Sequence, residues 1–146
     1  MEHKKYPERR IRHWISFPFM WIMIIPLLIM HVFIMLYQFI CFPLWKIQKF
    51  KLRNYIKFDR IKLNYLSISD KLGCTYCSYA NGLINYSAAI AGTTEKYWCG
   101  IKHDKYNEFV PSPHQIEKDF IDYGDEKTLL KELKENRKKY CYNKEE

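Results

Sequence analysis

Between Trp14 and Trp45 the chain carries no Lys, Arg, Asp or Glu, whereas charged residues stand close on both sides. That break in the pattern divides the sequence. A bilayer core of about 30 Å needs about 20 helical residues, and a straight helix over this run would be about 48 Å long. The run is too long for one upright span and too short for two spans with a turn. Pro18 and Pro26 interrupt the backbone hydrogen-bond ladder, so the membrane helix is predicted to kink. Trp14, Trp21, Tyr37 and Trp45 suit the membrane–water interface. One arrangement is a single kinked or tilted span; the other is a re-entrant hairpin turning near Pro26. His31 and Gln38 are the strongly polar side chains well inside, and polar groups at membrane depth are functional candidates. For His31, a bond to a backbone carbonyl is the plain alternative.

Beyond the run the period changes. Ile61, Leu63, Tyr65, Leu66, Ile68 and Leu72 recur mostly at spacings of three and four, which predicts a helix from Asp59 that stops at Gly73. A second helix is expected from Thr75 to Ala91 with Gly92 as its stop, although Asn81-Gly82 can also form a turn. Thr93 or Thr94 would cap a third helix containing Glu95, Tyr97, Trp98, Cys99 and Lys102. Pro111 and Pro113 mark a linker. Asp125 to about Tyr140 reads as an amphipathic surface helix, with Leu129, Leu130 and Leu133 among many charges. No repeat and no strand ladder is visible.

Composition alone misleads. A mean hydropathy of −0.40 over 146 residues suggests a soluble protein, but it averages two unlike parts. The net charge is +8, and its location gives it meaning. Lys4, Lys5, Arg9, Arg10 and Arg12 precede the apolar run; Lys46, Lys49, Lys51, Arg53, Lys57, Arg60 and Lys62 follow it; the remainder is nearly balanced. A nucleic-acid binder would carry its basic surface on the folded domain. Basic residues beside an apolar run instead suit anionic lipid headgroups, at about 1 kcal/mol each. Lys46, Lys49, Lys51 and Arg53 are the expected contacts, and no nucleic-acid partner is expected. A secretory leader has an apolar region of about 7–15 residues followed by small residues. Here the run ends in Cys41-Phe42-Pro43-Leu44-Trp45, so cleavage is not expected. The positive-inside rule places residues 46–146 in the cytoplasm.

Of five cysteines, Cys41 lies in the apolar run and Cys141 in the tail. The others form Cys74-x2-Cys77 and Cys99-x3-His103, separated by an insert from Ser78 to Trp98. Two close ligand pairs with an insert long enough to let them converge are what a tetrahedral Zn²⁺ site needs. The same donors suit iron or an iron–sulfur cluster. Cys74 and Cys77 could also form a thiol redox pair, or the three cysteines could simply be small core residues. A Cys3His set is already four-coordinate, which points to a structural metal rather than an open catalytic one. Glu95, His103, Asp104 and His114 could support acid–base chemistry, but the sequence does not fix their mutual geometry. The chain has no phosphate-binding loop and no G-x-G-x-x-G, G-x-S-x-G or H-E-x-x-H motif.

Asp59-Arg60, Leu63-x-Tyr65-Leu66, Cys74-x-Tyr76-Cys77-Ser78-Tyr79-x-Asn81-Gly82 and Thr94-Glu95-x-Tyr97-Trp98-Cys99-x-Ile101-Lys102-His103 together resemble a family of small uncharacterised bacterial membrane proteins. Tyr37-Gln38, Cys41-Phe42-Pro43 and Phe120-Ile121-Asp122-Tyr123-Gly124-Asp125 extend the resemblance over about residues 13–140. It implies a bacterial inner-membrane protein with the Cys/His set in its motif. It names no substrate. Gly100 stands where that motif has proline, and His31 stands where an acidic residue is expected, which puts an intramembrane carboxylate function in doubt.

The resulting expectation is an all-α protein: a basic segment (1–13), a kinked or re-entrant membrane helix (14–45), a basic juxtamembrane segment (46–58), a small helical domain stapled by metal (59–106), and a linker with an amphipathic helix (107–146). Cys74, Cys77, Cys99 and His103 would hold the metal. The leading functional expectation is a non-enzymatic, zinc-stabilised membrane module that presents a surface to a protein partner or lipid. A redox or iron–sulfur membrane protein, or a membrane enzyme using His31 or Glu95 on a lipid-soluble substrate, are the alternatives.

Overall fold

The computed structural model describes residue 6 and residues 10–106, 108–116 and 120–142. Lys4, Lys5 and Arg9 of the basic N-terminal segment lie outside them, as does the side chain of Cys141. The described chain is helical, with one isolated parallel bridge between Ile101 and Ile121. Five α-helices follow in order: α1 Arg10–Ile22, α2 Ile24–Leu44, α3 Ile68–Trp98, α4 Pro113–Ile116 and α5 Glu126–Tyr142. Between α2 and α3 lie two short 3-10 turns, Leu52–Asn54 and Asp59–Lys62.

The apolar run is nearly continuous helix. Ile11–Leu44 is long and apolar enough to cross a membrane. Its one interruption falls at Met23, where Pro26 has no N–H to offer one turn back. Pro18 lies inside α1 and does not end it. Helix α2 closes on a left-handed residue, Lys46 at φ 58°, with Ile47 N donating to Phe42 O at 2.8 Å.

The helices expected over 59–73, 75–91 and 94–102 are absent as separate elements. Asp59 starts only a single turn, and α3 then runs unbroken through Gly73, Gly82 and Gly92. Its start is a capping box: Asp70 N donates to Ser67 Oγ (3.3 Å), and Asp70 Oδ2 accepts from Ser67 N (3.3 Å) and Ser67 Oγ (2.6 Å). Its stop is Gly100, at φ 65°, whose N donates to Glu95 O at 3.1 Å. Thr93 and Thr94 bond back to Ala89 O and Ile90 O and cap nothing. Gly82 and Gly92 serve close approach instead. A Cβ at 82 would stand 2.6 Å from Tyr55 O, and one at 92 would stand 2.6 Å from the His114 ring. Helix α5 starts on Asp125, whose carboxylate accepts from Thr128 N (3.1 Å) and Thr128 Oγ1 (2.6 Å).

The chain divides into two compact units, Met1–Ala88 and Ala89–Glu146. The first is centred on Phe42, Leu83 and Tyr86, all essentially inaccessible. Gln38 is buried there, and its amide donates to Tyr86 OH (2.7 Å) and Phe50 O (3.2 Å) while accepting from Phe50 N (2.7 Å). One side chain thus ties α2, the connecting coil and α3 together. In the second unit, Ile90, Phe120 and Gln115 are buried. Ile121 N donates to Gly100 O, and Lys102 N to Ile121 O, each at 2.8 Å.

Candidate functional site

The four side chains expected to clamp a metal are not assembled. Among the described residues, no group of three or more His, Cys, Asp or Glu is placed to hold an ion. Cys74 and Cys77 lie within α3, Cys99 follows its last residue, and Cys77 and Cys99 are exposed free thiols. The insert that was to let the pairs converge is wound as helix. The zinc staple and the iron–sulfur alternative both rest on those sulfurs meeting, and no such group is found among the described residues.

His31 Nδ1 stands 3.0 Å from Tyr79 OH and its Nε2 stands 3.1 Å from Met35 Sδ. The imidazole is thus held by a phenol of α3 rather than by a backbone carbonyl. Burial raises the Tyr79 phenol pKa above its ordinary value. Seven residues further along, Gln38 meets Tyr86, which is also seven residues beyond Tyr79. Helices α2 and α3 therefore run in the same direction along this contact. The coil between them returns the other way. Lys49 Nζ lies 4.4 Å from the Phe39 ring centroid, Phe50 pairs with Gln38, and the backbone of Tyr55 and Ile56 lies on Gly82.

That return leaves an open cleft of about 430 Å³ between coil and helix. Lys57 and Arg60 come from the coil; Ser78, Asn81 and Asn85 come from α3. Spacings of three and four put these α3 residues on one face. Lys57 pairs with Asp59 at 3.7 Å, and Asn81 Nδ2 donates to Cys77 O at 2.9 Å.

The second unit assembles a different group. Glu95 Oε2 stands 2.6 Å from His114 Nε2, Glu95 Oε1 accepts from Gln115 Nε2 at 2.5 Å, and His103 Nε2 is 3.8 Å from Glu95 Oε1. Three of the four acid–base candidates therefore meet. The fourth, Asp104, is exposed and accepts from Lys105 N. Such a carboxylate can fix the tautomer and orientation of an imidazole. His103 also borders a cavity of about 420 Å³ with Lys105, Phe109 and Gln115.

Sequence reasoning found Glu95, His103 and His114 but missed Gln115, Arg60 and Asn85 as site residues. Local spacing held a signal for the helix face only: Ser78, Asn81 and Asn85 are uncharged polar residues at helical period. No family model, curated protein or solved structure matches this chain.

Proposed function

We propose that this is a membrane-surface protein that sinks the exposed side of α1 and α2 into one leaflet and rests its basic coil among anionic headgroups. The observation that carries this reading is the shared level of coil and helix. Phe50 beside Gln38 and Ile56 on Gly82 put Lys49, Lys51, Arg53 and Lys57 alongside the C-terminal half of α2, not past its end.

Two energies decide between upright and flat. An upright α2 would draw those cations toward bilayer depth, at a cost of about 2.5–3.5 kcal/mol per charge on insertion scales. A helix lying in the interface leaves them at the headgroups, where each gains about 1 kcal/mol. The apolar surface fits the flat placement. Ile25, Ile29, Val32, Phe33, Leu36 and Phe39 are exposed along α2, while Leu27, His31 and Gln38 face the chain's own fold. Only 6% of the most apolar stretch is buried, so something outside this fold must cover it. A patch of this extent marks an interaction surface. Zinc has no part in this reading.

Sidedness tests it. In a cysteine-free background reconstituted into sealed vesicles, single cysteines at Arg12 and Lys49 are reacted with an impermeant maleimide. Both positions label from the same side if the helix lies flat. Labelling from opposite sides would show a span.

A further inference from the structure

We propose that the cleft between the coil and α3 is a recognition site for a phosphate ester carrying hydroxyl groups, the chemistry of a glycerol-type phospholipid headgroup. The site belongs to the first unit and deepens the membrane-surface reading, on which its access to lipid rests.

The cleft has the donors such a ligand needs. Arg60 is exposed, and among the described residues its side chain has no hydrogen-bond or ion-pair partner. The nearest acid in sequence, Asp59, is turned to Lys57 instead. A guanidinium offers a planar fork that matches two phosphate oxygens at once. Opposite it, Ser78, Asn81 and Asn85 present a hydroxyl and two amides, which can both donate to and accept from hydroxyl groups. Asn81 spends one N–H on Cys77 O and keeps its carbonyl oxygen and second N–H. Charged side chains would be the ordinary choice for a solvated helix face; here three neutral hydrogen-bonding groups face Arg60, while Asp59, which also lines the cleft, is paired with Lys57 and leaves the guanidinium as the uncompensated cation. The width of the pocket is also set by the fold. Gly82 lets the Tyr55–Ile56 backbone sit directly on α3, which fixes the coil carrying Lys57 and Arg60 at that distance from Ser78 and Asn85. At about 430 Å³ the space takes a glycerophosphate.

Flotation of the full chain tests the site, using phosphatidylcholine vesicles with and without phosphatidylglycerol, for the wild type, Arg60→Gln, Asn85→Leu and Lys49→Gln. Lys49 lies outside the cleft and reports diffuse charge. Phosphatidylglycerol is expected to tighten wild-type binding. Arg60→Gln and Asn85→Leu should each lose about tenfold of that gain with phosphatidylcholine binding unchanged, and Lys49→Gln should lose under threefold. Asn85→Leu keeps the charge, so a full gain in that variant overturns the site. Equal losses in Lys49→Gln and Arg60→Gln overturn it as well. Glycerol 1-phosphate, added as competitor, separates the sources. Competition means that the free ester is also a ligand; cleft-dependent gain without competition means that recognition occurs in the bilayer. If the chain binds neither vesicle but binds glycerol 1-phosphate in detergent through Arg60 and Asn85, the cleft stands and the membrane-surface reading falls. No binding of either probe overturns the cleft.

Discussion

The Gln38 amide and the Tyr86 hydroxyl meet at 2.7 Å in the buried centre of the first unit. The contact joins helices that are separated by the whole connecting coil, and the same amide satisfies both backbone groups of Phe50. A buried polar group left without a partner costs about 1–3 kcal/mol. Gln38→Leu strands Phe50 N and O together, so a loss of about 2–4 kcal/mol is expected in denaturant unfolding in micelles. A loss under 1 kcal/mol would show that the pin is dispensable.

Tyr86 adds a pH dependence. Burial raises its pKa above the ordinary 10.0, with the Gln38 hydrogen bond partly opposing the rise and nearby Tyr55 adding to it. A phenol whose folded pKa exceeds its unfolded pKa contributes stability that is complete below the unfolded value and is lost as pH rises through the folded one. The first unit should therefore weaken as pH climbs past 10, and Tyr86→Phe should flatten that slope. An unchanged slope in the variant would assign the alkaline loss to other groups.

Two glycines of α3 should respond in opposite directions to alanine. At Gly73 nothing lies within 4 Å of an added Cβ, so Gly73→Ala should gain about 0.8–1 kcal/mol from helix propensity. At Gly82 the added carbon meets the Tyr55 carbonyl, and the coil must shift. Overpacking costs about 1–3 kcal/mol, more than propensity returns, so Gly82→Ala should lose stability and weaken any cleft-dependent binding. Thermal melts of the two variants side by side decide this by sign.

Glu95 holds α4 to the end of α3 through His114 and Gln115. Glu95→Gln removes the charge that both contacts use. Hydrogen bonds to charged groups are worth about 1.5–3 kcal/mol, so faster proteolysis near residues 108–116 is expected, with Asp104→Asn as a silent control. Equal digestion of the two variants would mean that the carboxylate does not organise the segment.

The exposed thiol of Cys77 gives a direct check on the metal reading. Surface substitutions away from special features change stability by about 0.5 kcal/mol or less. Cys77→Ser and treatment with a chelator should each leave the melting curve within that range. A large drop with either would restore the metal staple.

What the sequence determined on its own was whatever depends on neighbours in the chain. The uncharged run Trp14–Trp45 was legible as apolar helix, and its break falls one turn before Pro26, one of the two prolines expected to interrupt it, whereas Pro18 does not end α1. The C-terminal helix was legible from Leu129, Leu130 and Leu133 among many charges, since periodicity acts within a turn or two. Tertiary structure decided the rest. Gly73, Gly82 and Gly92 look alike locally, and each could have ended a helix; backbone and ring atoms brought in from Tyr55 and His114 make two of them sites of close approach. Two ligand pairs at suitable spacing cannot say whether the insert between them folds back or winds as helix, and here α3 winds. The return of the basic coil along α2, the cleft it leaves and the meeting of Glu95 with His114 all come from contacts between residues far apart in sequence, and such contacts leave no local period to read.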